Sequence, residues 1–188
     1  MLRHPIRVIA LASCLLGGHS VMGADADSAP GFWVTPTIQG FGRIHELPSA
    51  AYQPDRHVTY KIVFALTRGP KEPGEVNPAL DRVARSVNLY VASGVPLAHL
   101  KFVAIAYGDA TPIALDDAHY RAQFGVANPN LPLIALLRKA GVDVAVCGQA
   151  VAEHHFDYTW VDQSVTTALS GLTTVTTLQQ SGYVLMPL

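Results

Sequence analysis

The chain has 188 residues, 49% of them hydrophobic and 14% charged, with a formal net charge of -1. That length and apolar content support one well-buried domain and exclude a disordered chain. The near-neutral charge leaves no footprint for nucleic acid or for an anionic membrane surface.

The N-terminus reads as a targeting segment. Arg3 and Arg7 make a basic start, and residues 8–16 form an apolar stretch too short to span a bilayer. Ala24-Asp25-Ala26 fits a small-residue cleavage pattern. Residues 1–26 are therefore expected to be a removed signal peptide, which makes the mature protein periplasmic. The alternative is Leu11-Ala12-Ser13-Cys14, which has the form of a bacterial lipoprotein box and would anchor the chain at Cys14. Of the two cysteines, Cys14 leaves with the signal. Cys147 is then a lone thiol with no internal disulfide partner, which is unusual in an oxidising compartment.

Residues 27–57 are rich in Pro, Gly and Ala and hold Gly31-Phe32-Trp33, Gly40-Phe41-Gly42 and Leu47-Pro48. So many aromatic groups do not suit a free linker. The stretch reads as an ordered arm, lying on its own domain or on a neighbouring subunit. The domain proper is expected over residues 58–188.

Residues 60–66 are a first strand. Asn77 caps a helix with Pro78 at its first position, and Leu80, Val83, Ala84, Val87 and Val91 share one face. Asp81 and Arg85 have the spacing of an ion pair, and Gly94 ends the helix. Residues 100–107 are a second strand, followed by Gly108-Asp109 and a loop over 110–115. A short helix is expected over 116–124 and another, capped by Asn130, up to Ala140. A third strand follows over 142–146. A helix from about Ala150 to Phe156 carries His154 and His155, and residues 165–169 make a short strand. Ser170 caps a last helix over 172–181, and a terminal strand covers 183–186. The order β-α-β-α-α-β-α-β-α-β predicts a doubly wound three-layer α/β/α domain around a mainly parallel five-stranded sheet.

This order puts Cys147 at the carboxyl end of the third strand, the edge where open α/β sheets bind ligands. A helix starting just beyond would aim free N–H groups at the sulfur and favour the thiolate. A small buried hydrophobe is the other reading of the same residue. His154 and His155 could serve the thiol as an acid/base pair, join it in a metal site with His119 or His45, or sit on a solvated helix face. Asn88, Tyr107, Gly108, Asp109, Gly148 and Gln149 are candidates for lining the same strand-end pocket. No Gly-x-Gly-x-x-Gly, Walker loop or Gly-x-Ser-x-Gly is present, and no cofactor is expected.

The first strand, Leu89-Tyr90, the run from Phe102 to Gly108, Val146-Cys147-Gly148-Gln149 and Gly182-Tyr183 together resemble the DsrE/DsrF-like family of small sulfur-relay proteins. The resemblance runs from about Tyr60 to Leu188, and Cys-Gly-Gln is its most specific part. It implies a flavodoxin-like three-layer sheet and a subunit that assembles into trimers or hexamers. It also implies a persulfide on Cys147, taken from a sulfur donor and passed to an acceptor thiol protein. The expectation is a periplasmic sulfur carrier or sulfurtransferase. The rivals are a non-catalytic small-ligand-binding or structural oligomeric subunit and a Cys/His metal-binding protein. The apolar groups of the arm add an expectation of a homo-oligomer with the arm at the subunit contact.

Overall fold

Five parallel strands lie in the order β4-β3-β2-β1-β5. They are β1 (Tyr60–Leu66), β2 (Leu100–Ala106), β3 (Asp143–Cys147), β4 (Thr166–Ala168) and β5 (Val184–Pro187), and the helices are α1 (Pro78–Ala92), α2 (Asp117–Phe124), α3 (Leu131–Lys139), α4 (Gly148–Glu153) and α5 (Gly171–Gln180). The structure is a computed structural model and describes residues 31–188. The signal-peptide and lipoprotein readings fall on residues outside that range.

The central strands are almost continuously apolar because both faces are covered. On one face Ile62, Phe64, Phe102, Val144 and Val146 pack with Val83 of α1, Leu133 and Leu137 of α3 and Val151 of α4. On the other, Val63, Ile105 and Ala145 pack with Val175 and Leu178 of α5. The reason is topological. From β1 through β4 the chain steps one strand at a time in one direction, so right-handed crossovers put every connecting helix on the same face. The return from β4 to β5 runs the other way and puts α5 on the opposite face. The doubly wound three-layer fold expected from the sequence is therefore present.

Local signals act as anticipated at most helix ends. The Asn77 side-chain oxygen accepts the N–H groups of Ala79 and Leu80 at 2.9 and 3.2 Å. Asp116 caps α2, and Gly125 closes it in the left-handed conformation with φ 76°. Asn130 departs from its expected role, because its side chain makes no cap bond to α3. Asp81 also departs. It accepts the Gly42 N–H at 2.7 Å instead of pairing with Arg85.

Residues 33–188 form one unit, so the arm from Trp33 onward belongs to the domain. It is pinned by a two-way backbone bridge between Val34 and Ile44, 2.9 Å in each direction. Asn88 of α1 holds it from below, accepting the N–H groups of Thr37 and Ile38 and donating to the carbonyls of Phe41 and Gly42. Ile38 and Ile44 are buried. The arm thus packs on its own α1 through these two side chains, while Leu47 and Tyr52 stay exposed. Asn88 is likewise spent on the arm and does not reach Cys147.

Candidate functional site

The topology names the site. β3 sends its connection to the α1 face and its neighbour β4 sends its own to the α5 face. Adjacent strands whose connections part in this way mark, in doubly wound sheets generally, the place where ligands bind beyond the carboxyl ends. In the flavodoxin strand order that point lies between the first and third strands. Here it lies at Cys147 of β3 and Ala168 of β4, which are register partners.

Strand alternation puts Cys147 on the face of Ala145, toward α5. Its backbone turns directly into α4, whose first residue is Gly148. The sulfur caps that turn: Sγ accepts the Ala150 N–H at 3.3 Å. Gly148 is required here, since a Cβ on it would come within 2.9 Å of the Ala168 carbonyl oxygen. Cys147 is 5% exposed.

Three contacts tie together the segments next to Cys147. The Tyr107 ring lies against Gly171 at the start of α5, where a Cβ would come within 2.9 Å of it. The Tyr158 hydroxyl donates to the Gly148 carbonyl at 3.1 Å. Gln149 Nε2 donates to the Leu169 carbonyl at 3.3 Å and ties α4 to the end of β4. Tyr158, Leu169 and Gly171 are absent from the sequence reading. They come from segments after the strand that no spacing rule links to a cysteine.

The histidines differ from expectation. α4 ends at Glu153, so His154 is its C-cap and not an interior residue, and His155 has a left-handed φ of 56°. The helix is short because Phe156 turns back to the core, its N–H bonding the Val151 carbonyl. His154 Nε2 lies 3.0 Å from the Gly108 carbonyl oxygen and so braces the turn after β2. Neither imidazole is hydrogen-bonded to Cys147. His119 stacks on Trp160 at 4.8 Å, its Nδ1 2.8 Å from a carboxylate oxygen of Asp116, and His45 meets the Trp33 ring edge-on in the arm. Among the described residues no three His, Cys, Asp or Glu side chains come together as a metal site, so the Cys/His metal reading finds no donor set.

Asp109 lines a cleft of about 450 Å³ with Arg68, Lys71, Tyr120 and Phe124. A larger cleft of about 940 Å³ lies between the arm and the end of α1. Cys147 lines neither. The strand-end candidates therefore separate: Tyr107 follows the register partner of Val146, Gly148 and Gln149 follow Cys147 in the chain, Gly108 is bonded by His154, and Asp109 lines another cleft.

The model of the DsrE/DsrF-like family matches residues 60–188. The chain belongs to the DsrE/DsrF-like family. Among solved structures, this DsrE/DsrF-like chain is similar to a protein of unknown function, MTH1491, from Methanobacterium thermoautotrophicum. The identity is 16%, the TM-score 0.48, and the match covers 69% of this chain and 99% of that one. No curated protein matches. The family match begins at Tyr60, so it includes the whole sheet and the Cys147 site and leaves out the arm. No helix among the described residues is long and apolar enough to cross a membrane.

Proposed function

We propose that this DsrE/DsrF-like protein is a periplasmic sulfur carrier that holds sulfane sulfur as a persulfide on Cys147. The carrying observation is the position of the sulfur. It lies at the carboxyl edge of β3, beside the point where the sheet's connections change face, and accepts the Ala150 N–H. A sulfur-relay role at the level of the family supports the reading, and the leader-like composition of residues 1–26 supports the compartment.

The chemistry balances without an added oxidant. The Cys147 thiolate attacks the outer sulfur of a donor such as thiosulfate. The Sγ–S bond forms, the donor's S–S bond breaks, and sulfite leaves with the electron pair. An acceptor thiolate then attacks the outer sulfur of the persulfide. The Sγ–S bond breaks, its electron pair returns to Cys147, and the acceptor leaves as the persulfide. In this scheme the Ala150 amide steadies the sulfur, Tyr107 walls it on the α5 side, and His154 braces the Gly108 turn. Mass spectrometry after incubation with thiosulfate or polysulfide is expected to show one added sulfur on Cys147. No adduct, or an equal adduct on the Cys147→Ser protein, defeats the proposal.

The burial of Cys147 favours a second reading, a non-catalytic binding subunit in which the thiol is packing. Thiol labelling separates the two. A Cys147 that labels only after unfolding supports the binding subunit. The family also supports a homo-oligomer, trimer or hexamer, which light scattering on the mature chain tests.

A further inference from the structure

The rim around Cys147 is apolar and exposed. Leu169 is 73% exposed, Leu172 79% and Tyr158 53%, although large apolar side chains at a sheet edge are normally covered. Two of them are fastened to the turn that follows Cys147, and the third adjoins a glycine that packs on the ring after β2. Tyr158 bonds Gly148, Gln149 bonds the Leu169 carbonyl, and Gly171, next to Leu172, lies against Tyr107. A second observation concerns charge. No Lys or Arg follows Lys139, whereas Asp143, Glu153, Asp157 and Asp162 all do. Asp143 is neutralised by Arg138. Asp157 adjoins Tyr158 and is exposed, and Glu153 is exposed at the end of α4. The cations at the carboxyl edge, Arg68 and Lys71, stand at the other cleft, beyond the end of β1.

From these two observations we infer that the rim of Leu169, Leu172 and Tyr158 is the docking surface for the acceptor, a protein segment presenting its thiol beside an apolar side chain and flanked by Lys or Arg. The inference rests on the carrier reading of Cys147. The apolar rim supplies contact area and excludes water from the exchange. The carboxylates of Glu153 and Asp157 select the sign of the partner and raise its rate of encounter. An acidic thiol segment or a small anionic thiol meets like charge instead. A second copy of this chain is the rival occupant.

The experiment loads Cys147 with polysulfide, removes the excess, and measures sulfur transfer to three synthetic peptides. Each holds one Cys beside one Leu, flanked by Arg, Ser or Glu. The Arg peptide is expected to be about tenfold faster than the Glu peptide at low salt, and the ratio is expected to collapse toward one at ~0.5 M NaCl. Glu153→Gln with Asp157→Asn, the latter able to keep its cap on Thr159, is expected to bring the Arg-to-Glu ratio toward one, and an unchanged ratio overturns the docking assignment. Leu169→Ser with Leu172→Ser is expected to slow all three. A persulfide that transfers equally to all three peptides overturns the docking assignment and leaves the carrier standing. Failure to form any persulfide overturns both. If light scattering shows an oligomer that the two Leu→Ser changes convert to monomer, the surface is covered by a second copy and the docking assignment is wrong.

Discussion

The side-chain oxygen of Asn130 accepts the backbone N–H of Asn77 at 2.8 Å and so ties the start of α3 to the start of α1. Both residues are fully buried. The network continues on either side. Asn77 Nδ2 donates to the Arg68 carbonyl, Asn130 Nδ2 donates to Asn128 Oδ1, and Asn128 Nδ2 donates to the carbonyls of Ile113 and Leu115. Removing one member strands buried polar groups that water cannot reach. Asn130→Ala is expected to cost about 3 kcal/mol, read by urea unfolding. A loss below about 1 kcal/mol would show that the network relaxes around the gap.

The Asn88 carboxamide holds four backbone groups of the arm. Asn88→Ala leaves two N–H groups and two carbonyls of the arm without their partner. The expected cost is about 3 kcal/mol, accompanied by faster proteolysis between Thr35 and Leu47. Gly42→Ala should release the arm by a different route. Its φ is +60°, and a Cβ there would lie 2.1 Å from the Arg85 backbone nitrogen. If either variant unfolds at the wild-type midpoint, the arm contributes nothing to the domain.

Tyr107 and Gly171 are expected to control access to the thiol. Gly171→Ala must push the ring aside, since the new Cβ would come within 2.9 Å of Cδ1. Cys147 is then expected to label faster with a neutral maleimide, for a stability loss of about 1 kcal/mol. Tyr107→Ala should accelerate labelling further. Unchanged rates in both variants would place the route to the sulfur elsewhere, on the Tyr158 side.

Acid stability should depend on three aspartates. Burial raises the Asp116 carboxyl, but the amide and imidazole of His119 outweigh it and bring the group below its ordinary 3.8. The Asn128 amide and Arg121 lower Asp117, and the amide and hydroxyl of Thr159 lower Asp157. A carboxylate whose folded pKa is depressed stabilises the fold above its unfolded pKa, and that contribution is lost as pH falls through the folded value. The stability gap between wild type and Asp116→Asn is therefore expected to shrink as pH falls below 3.8, followed by circular dichroism. A gap that stays constant through that range would show that Asp116 acts only through its neutral cap geometry.

Local rules carried the element order and the placement of Cys147. Asn77-Pro78, Gly125 and Ser170 mark helix ends because caps and left-handed turns are decided within a few residues. The run Val144-Ala145-Val146 marks a buried strand because both of its faces are covered. Right-handed crossovers then leave few ways to wind these pieces. The partners of Asn88, Asn130, Asp81 and His154 were not legible, because each side chain bonds backbone tens of residues away or forgoes the nearby group that its spacing suggested. Periodicity and capping are short-range properties, and they suffice to predict a parallel doubly wound sheet with a cysteine at its carboxyl edge. It took the folded chain to show that the arm packs on α1, that Tyr107 meets Gly171 and Tyr158 the Gly148 carbonyl, and that no histidine bonds the sulfur. Those contacts depend on which distant backbone groups the completed fold leaves in need of a partner.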